Sequence, residues 1–178
     1  MDFRVWLASA IIVSFLAWFN VGKAPPPKEI ALAGDWLFKT GDNAGWKDPA
    51  FTDSDWTLLK VPANWESQGY PGYDGVAWYR KHVQIPAEWR NSAGIIFDLG
   101  KVDDEDMTYF NGELIGTHVG WGDYHKYAVP KYLVKYDQDN LISVRVNDTG
   151  GNGGMWEGNF KLVTGMMPRY NASDIDKY

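Results

Sequence analysis

The 178-residue sequence contains no cysteine, so it can form neither a disulfide framework nor a lipid anchor attached through a thiol. Basic residues are also in deficit, with 17 Lys and Arg against 23 Asp and Glu and a net charge of −6. Nucleic-acid binding requires a basic face, and this balance argues against that class of partner. The sequence has three histidines but lacks a Gly-x-Ser-x-Gly turn, and this lack argues against a serine hydrolase of the type that uses that turn.

The one long hydrophobic run stands at the start of the chain, where residues 5–22 carry no charge. As a helix this run would be roughly 27 Å long, close to the thickness of a hydrocarbon core. We therefore predict a single transmembrane helix or signal anchor over residues 1–24. The residues predicted to form the membrane anchor are Trp6, Ile11, Ile12, Phe15, Trp18 and Phe19.

A cleaved signal peptide is the main alternative, because a charged start and an apolar core describe both kinds of segment. The best-placed small-x-small site ends at Ala24, and Pro25 directly after it disfavours cleavage. We therefore expect a retained single-pass anchor in a bacterial inner membrane, with the rest of the chain on the periplasmic side. Residues 25–29, which include three consecutive prolines, would form a short stiff spacer.

After the spacer, short runs of β-forming residues alternate with Gly, Pro, Asn and Asp, as is typical of an antiparallel sandwich. Asn111-Gly112 between two apolar pairs predicts a two-residue hairpin. The β-sandwich domain is predicted to cover residues 30–163, followed by a polar tail at 164–178. The predicted strands are 30–38, 57–61, 77–85, 94–99, 107–110, 113–117, 126–129, 141–146 and 155–163.

Eight sequence blocks within residues 30–163 form a recognisable series. They are Gly34-Asp35-Trp36, Phe51-Thr52-Asp53-Ser54-Asp55-Trp56, Val61-Pro62-Ala63-Asn64-Trp65-Glu66, Gly75-Val76-Ala77-Trp78-Tyr79-Arg80-Lys81, Asp98-Leu99-Gly100-Lys101-Val102-Asp103-Asp104, Tyr109-Phe110-Asn111-Gly112, Asn140-Leu141-Ile142-Ser143-Val144-Arg145-Val146 and Met155-Trp156. In this order the series resembles the sugar-binding jelly-roll domain of family 2 glycoside hydrolases, which also occurs inserted in sialic-acid acetylesterases. The resemblance implies an all-β, galactose-binding-like fold, with Trp36, Trp56, Trp65 and Trp78 in the core.

Glycosidases of this kind cleave their substrates with two glutamates on a separate barrel domain. This sequence does not contain such a barrel, so it is expected to be non-catalytic and to carry no cofactor.

The candidate binding site lies in two aromatic or glycine-rich stretches. The first follows the strand at 141–146 and contains four glycines, which leave room for close approach of a ligand. The resemblance implies that Asp148 and Trp156 of this stretch lean over a sugar. The second stretch is aromatic and covers residues 121–125. The full candidate set is Asp148, Asn152 and Trp156 of the first stretch and Trp121 and Tyr124 of the second, which could contact either carbohydrate or a protein partner.

A short acidic run offers weak candidates for a calcium site, namely Asp103, Asp104 and Asp106. Clustered carboxylates suit a hard cation, but the ligand spacing of a calcium loop is missing. A solvated turn is the alternative, and no metal is expected.

Three functions fit these features. The sequence favours a membrane-anchored accessory subunit whose sandwich docks on integral membrane subunits of a larger complex, such as a photosynthetic or respiratory assembly. The alternative is a membrane-tethered carbohydrate-binding module. A second alternative is a non-catalytic fragment of a glycoside hydrolase.

Overall fold

The computed structural model describes residues 26–166, and these form an all-β domain of antiparallel strands. Eleven strands alternate with four short 3-10 helices. The strands are β1 Glu29–Ala31, β2 Gly34–Thr40, β3 Thr57–Val61, β4 Gly75–Gln84, β5 Ile95–Val102, β6 Glu105–Phe110, β7 Glu113–Val119, β8 His125–Val129, β9 Asp139–Asp148, β10 Met155–Glu157 and β11 Lys161–Thr164. The 3-10 helices are Ala44–Lys47, Trp65–Gln68, Ala87–Trp89 and Lys131–Leu133.

The strands form two sheets. The larger has six strands in the order β3-β2-β4-β9-β6-β7. The smaller has five strands and is centred on β5, which pairs with β8 along one edge and with β11 and then β10 along the other. Every pairing between named strands is antiparallel, as expected for a sandwich built from hairpins and longer crossings.

The main core lies between the sheets and is rich in aromatic side chains. Trp36 and Phe97 come from opposite sheets and stack with ring centroids 6.4 Å apart. Phe38 packs edge-on against Tyr79 at 4.9 Å. Burial of one such phenylalanine is worth roughly 1.5–3 kcal/mol. The four tryptophans expected in the core, Trp36, Trp56, Trp65 and Trp78, are all buried, which confirms that prediction.

The larger sheet is covered on its outer face as well. Trp46, Trp56, Trp78 and Tyr109 form a second apolar cluster there, with Trp46 and Trp56 contributed by the β2–β3 connection. Arg80 is fully buried beside this connection, where it forms an ion pair with Asp53 at 2.7 Å and donates to the backbone oxygens of residues 46, 48 and 51.

Two predicted strands are each divided in the structure. The run 30–38 becomes β1 and β2, which lie in different sheets, because the chain turns at Gly34 with a φ of +108°. The run 155–163 becomes β10 and β11, separated by Gly158 at +138° and Phe160 at +38°. In the first run the apolar alternation from Ile30 through Leu32 to Trp36 and Phe38 continues across the break, so the sequence pattern did not show it.

The hairpin prediction at Asn111-Gly112 is confirmed, because both residues have positive φ and join β6 to β7. Within residues 26–166, no helix has the length and hydrophobicity needed to cross a bilayer. The predicted anchor at 1–24 and most of the predicted tail at 164–178 lie outside the described residues.

Candidate functional site

Four connections meet at one end of the sandwich and border an open cavity of about 510 Å³. They join β3 to β4, β5 to β6, β7 to β8 and β9 to β10. Strand β10 also contributes the side chain of Trp156. The cavity is lined by Asn64, Asp103, Asp104, Trp121, Gly150, Asn152 and Trp156.

Asp104 ties three of these connections together. Its carboxylate accepts hydrogen bonds from the Thr149 amide at 2.7 Å and from the Thr149 hydroxyl at 2.5 Å. Its backbone oxygen accepts from the Gly120 amide at 2.6 Å. A φ of +51° at Asp104 gives the backbone the turn that makes these contacts possible. The cavity is therefore built from loops that are hydrogen-bonded to one another.

The glycine-rich β9–β10 connection is packed closely against the β3–β4 connection. Gly153 accepts a hydrogen bond from the Trp65 amide at 3.1 Å and donates its own amide to Glu66 at 2.9 Å. A Cβ at position 153 would collide with the Trp65 ring and with the carboxylate of Asp148. Only glycine fits at this position without a shift of its neighbours.

Asp148 lies beneath this connection and does not line the cavity. It is 1% exposed, and one carboxylate oxygen accepts from the Gly150 amide at 2.8 Å. The other oxygen has no hydrogen-bond partner within residues 26–166. Burial, followed by the nearby carboxylates of Asp74, Asp104 and Glu66, raises the pKa of Asp148.

Asp103, like Asp104, is an acidic side chain of the cavity wall. Burial raises its pKa to about 6, and the negative charges of Asp104 and Asp148 act in the same direction. Near neutral pH the wall therefore carries negative charge that depends on pH. None of the described residues that line the cavity is basic.

Trp121 and Trp156 supply the aromatic part of the wall. Trp121 is 63% exposed at the tip of the β7–β8 connection, whereas Trp156 is half-buried in β10. Tyr124 does not line the cavity but stands beside it, and its hydroxyl donates to Glu157 at 2.6 Å. The Lys101 ammonium lies 5.0 Å from the ring centroids of both Tyr124 and Trp156.

The base of the β7–β8 connection is held by a buried polar network. His125 and Asp106 have fully buried side chains whose Nδ1 and Oδ1 atoms are 2.6 Å apart. Tyr127 and Thr108 each donate a hydrogen bond of 2.7 Å to the same carboxylate. The Asp106 carboxylate is thus buried and hydrogen-bonded inside the domain.

The three weak calcium candidates accordingly have different surroundings. Asp103 and Asp104 line the cavity, while Asp106 belongs to the network with His125. The described part of the chain contains no group of three or more His, Cys, Asp or Glu residues arranged to hold a metal ion.

The structure thus brings together Trp121, Asn152 and Trp156 from the predicted set and places Asp148 and Tyr124 just outside the cavity wall. Sequence reasoning did not identify Asn64 or Lys101 as site residues. Asn64 stands within a block used only to recognise the fold. The arrangement of two indole rings with amide and carboxylate groups suits a ligand that has both apolar faces and several hydroxyl groups.

Comparisons with known proteins agree with this architecture. Residues 40–152, more than half of the chain, match the family described as the β-galactosidase second all-β domain. The β-galactosidase BoGH2A of Bacteroides ovatus is 30% identical over 151 residues, which are 74% of this chain and 17% of that protein. A β-galactosidase of Thermoanaerobacter pseudethanolicus is 26% identical over 121 residues, 64% of this chain and 16% of that protein.

Solved structures show the same fold. A β-glucuronidase of Bacteroides uniformis superposes with a TM-score of 0.70 at 24% identity, covering 78% of this chain and 18% of that chain. A β-glucuronidase of glycoside hydrolase family 2 gives 0.71 at 19% identity, covering 81% and 18%. The chain spans about one sixth of the length of the curated relatives above, and the matched part is a non-catalytic all-β domain of those enzymes.

Proposed function

Because this chain belongs to the β-galactosidase second all-β domain family, we propose that it is the non-catalytic sandwich of a family 2 glycoside hydrolase and binds carbohydrate in its loop cavity. The sandwich would hold the sugar, while bond cleavage would be performed by residues of another domain. Of the functions suggested by the sequence, this is the non-catalytic fragment of a glycoside hydrolase, with a carbohydrate-binding site proposed in addition.

The observation that carries the proposal is the composition of the cavity wall. Trp121 and Trp156 offer indole surfaces on which the apolar face of a pyranose can pack. Asn64 and Asn152 offer amide groups that both donate and accept hydrogen bonds, and Asp103 and Asp104 offer acceptors for hydroxyl groups. Carbohydrates present these same two kinds of surface.

The charge of the cavity wall further restricts the class of sugar that we expect to bind. Two carboxylates and no basic side chain among the described lining residues disfavour an anionic sugar. A neutral β-galactoside is therefore the expected ligand in preference to a β-glucuronide.

The test is a titration of the full chain with methyl β-galactoside and, separately, with methyl β-glucuronide, followed by NMR. Trp121→Ala and Trp156→Ala should each raise the Kd for the galactoside about tenfold or more, as expected for loss of a packed aromatic anchor. Tyr132→Ala is the matched control, because Tyr132 is an 85% exposed aromatic residue that does not line the cavity. An unchanged Kd in both tryptophan variants would refute the proposal.

A protein-docking role for the same end of the domain is the second candidate. Val119, Trp121 and Tyr124 are all more than half exposed around the β7–β8 connection, and such apolar groups are typical of interface anchors. The predicted membrane partners and periplasmic location belong to this candidate. It would be favoured if Trp121→Ala abolished co-purification of a partner and left glycoside binding intact.

A further inference from the structure

We propose that Lys101 is a positioning residue that fixes the aromatic wall of the cavity, an inference that rests on the carbohydrate-binding function proposed above. Lys101 does not itself line the cavity. Its side chain instead joins Trp156, which contacts the cavity, to the β7–β8 connection that carries Trp121.

The contacts of the Lys101 ammonium define this role. It lies 5.0 Å from the centroid of the Trp156 ring and 5.0 Å from that of Tyr124, within the range of a cation–π interaction. It also forms an ion pair of 3.1 Å with Glu157, whose same oxygen accepts the Tyr124 hydroxyl at 2.6 Å. Four side chains from three elements thus share one charged centre.

Lys101 is held firmly enough to position its neighbours. It stands near the end of β5, paired in register with Glu157 of β10, so both backbones belong to the sheet. The preceding residue, Gly100, lets the segment at Glu157 and Gly158 approach so closely that a Cβ would collide with its backbone. The Lys101 side chain is only 19% exposed, so its orientation is restricted by packing.

This placement has a consequence for Trp156. With the ammonium over one face of the indole, only the opposite face and the ring edge remain for a ligand. The same ammonium contacts the ring of Tyr124, which stands three residues after Trp121 in the exposed stretch 121–124. Loss of the Lys101 charge should therefore make the positions of Trp156 and Trp121 less fixed. Both indole rings would still be present to contact a ligand.

Glu157 is the acidic partner in this arrangement. The hydrogen bond from Tyr124, then the hydrogen bond from Lys101 and lastly its charge, lower the pKa of Glu157. Glu157 therefore remains ionised at neutral pH and keeps the Lys101 ammonium paired.

The test uses the full chain labelled with 5-fluorotryptophan, with the Trp156 resonance assigned from Trp156→Phe. Lys101→Met keeps the aliphatic stem and removes the charge. We expect it to shift and broaden the Trp156 resonance and to raise the Kd for methyl β-galactoside about three- to tenfold. Lys101→Arg should restore both readouts, because a guanidinium can pair with Glu157 and stack on both rings.

Lys161→Met is the matched control, since Lys161 of β11 also has a mostly buried side chain, 27% exposed, and pairs with Glu29 of β1 at 2.7 Å. It should change neither readout. Glu157→Gln provides a second approach if Lys101→Met fails to fold, and it should reproduce part of the change at Trp156.

The outcomes separate this proposal from the function on which it rests. If Lys101→Met leaves the Trp156 resonance and the Kd unchanged, the positioning role is wrong even when the wild-type chain binds the galactoside. If the wild-type chain binds no galactoside but Lys101→Met alters the Trp156 resonance and Lys101→Arg restores it, the positioning role stands and the carbohydrate-binding function fails.

Discussion

Two carboxylates, Asp103 in the cavity wall and Asp148 beneath it, occupy surroundings that disfavour their ionised forms. Burial is the larger cause for both, and each also lies in the field of neighbouring acids. Functional sites often hold groups in this way, because a ligand that supplies a hydrogen-bond donor or a positive charge relieves the strain. At the scale of single residues, this arrangement should lower the free energy of unfolding of the ligand-free protein by a measurable amount.

Replacement of Asp103 by Asn tests that cost through its pH dependence. The pKa of Asp103 is about 6 in the folded chain, above the ordinary value of 3.8, so the folded state binds the proton more tightly than the unfolded state. The contribution of Asp103 to the stability of the wild-type chain should therefore fall as pH rises from about 4 to about 6. Asp103→Asn should remove this fall and raise the free energy of unfolding at pH 7 by about 1 kcal/mol, since partial exposure screens the effect.

The measurement is urea unfolding of both proteins at pH 4 and pH 7. Glu113→Gln serves as the control, because Glu113 is exposed on the edge strand β7. A stability difference between Asp103→Asn and the wild type that is the same at both pH values would contradict the explanation.

The connection between β9 and β10 shows how one element supports the site. Its glycines allow the chain to pass between Trp65 and Asp148 and to reach Asp104 through Thr149. The loop is therefore packed and hydrogen-bonded at Gly153 while Asn152 remains exposed at the cavity. Rigid support beneath an exposed contact surface is what precise ligand placement requires.

Gly153→Ala should weaken this element by steric overlap alone. The added methyl group would meet the Trp65 ring and the Asp148 carboxylate, and we expect a loss of about 2 kcal/mol in the free energy of unfolding. Gly122→Ala is the matched control, because a Cβ at position 122 meets no atom within 4 Å. It should change stability by less than about 0.5 kcal/mol. Equal effects of the two substitutions in chemical denaturation would contradict the packing described here.

At the scale of the whole molecule, the sandwich presents a loop cavity at one end and buries the outer face of its larger sheet beneath the β2–β3 connection. Arg80 anchors that connection with four hydrogen bonds from a fully buried guanidinium. A buried charge is tolerated only with such complete pairing. The domain therefore has two apolar layers, one between its sheets and one outside them.

The hydrophobic run at residues 5–22 makes a prediction about the intact protein. We expect the chain to be retained in the membrane with residues 1–24 still attached, since Pro25 disfavours cleavage after Ala24. The measurement is the intact mass of protein extracted from membranes with detergent. A chain that lacks residues 1–24 is the control and should be released into the soluble fraction. A mature wild-type chain that begins at Pro25 or later would show that the segment is a signal peptide.

Much of the fold follows from local sequence patterns. Alternating apolar residues and turn-forming pairs act between near neighbours, so the all-β class, the Asn111-Gly112 hairpin and the central strand β9 could be predicted. The burial of Trp36, Trp56, Trp65 and Trp78 was also predictable, because these large side chains stand within the blocks that define the fold and a folded domain tends to bury such residues.

The site depends on contacts between residues far apart in sequence. Asn64 and Asp104 meet Trp156 only because four connections end on the same side of the two sheets, and strand order is a property of the whole fold. Asp148 was predicted as a ligand contact from its loop, yet its side chain turns under Gly153. Residue types and spacing indicate which loops can bind, whereas packing across the sandwich decides which side chains reach the cavity and which support it.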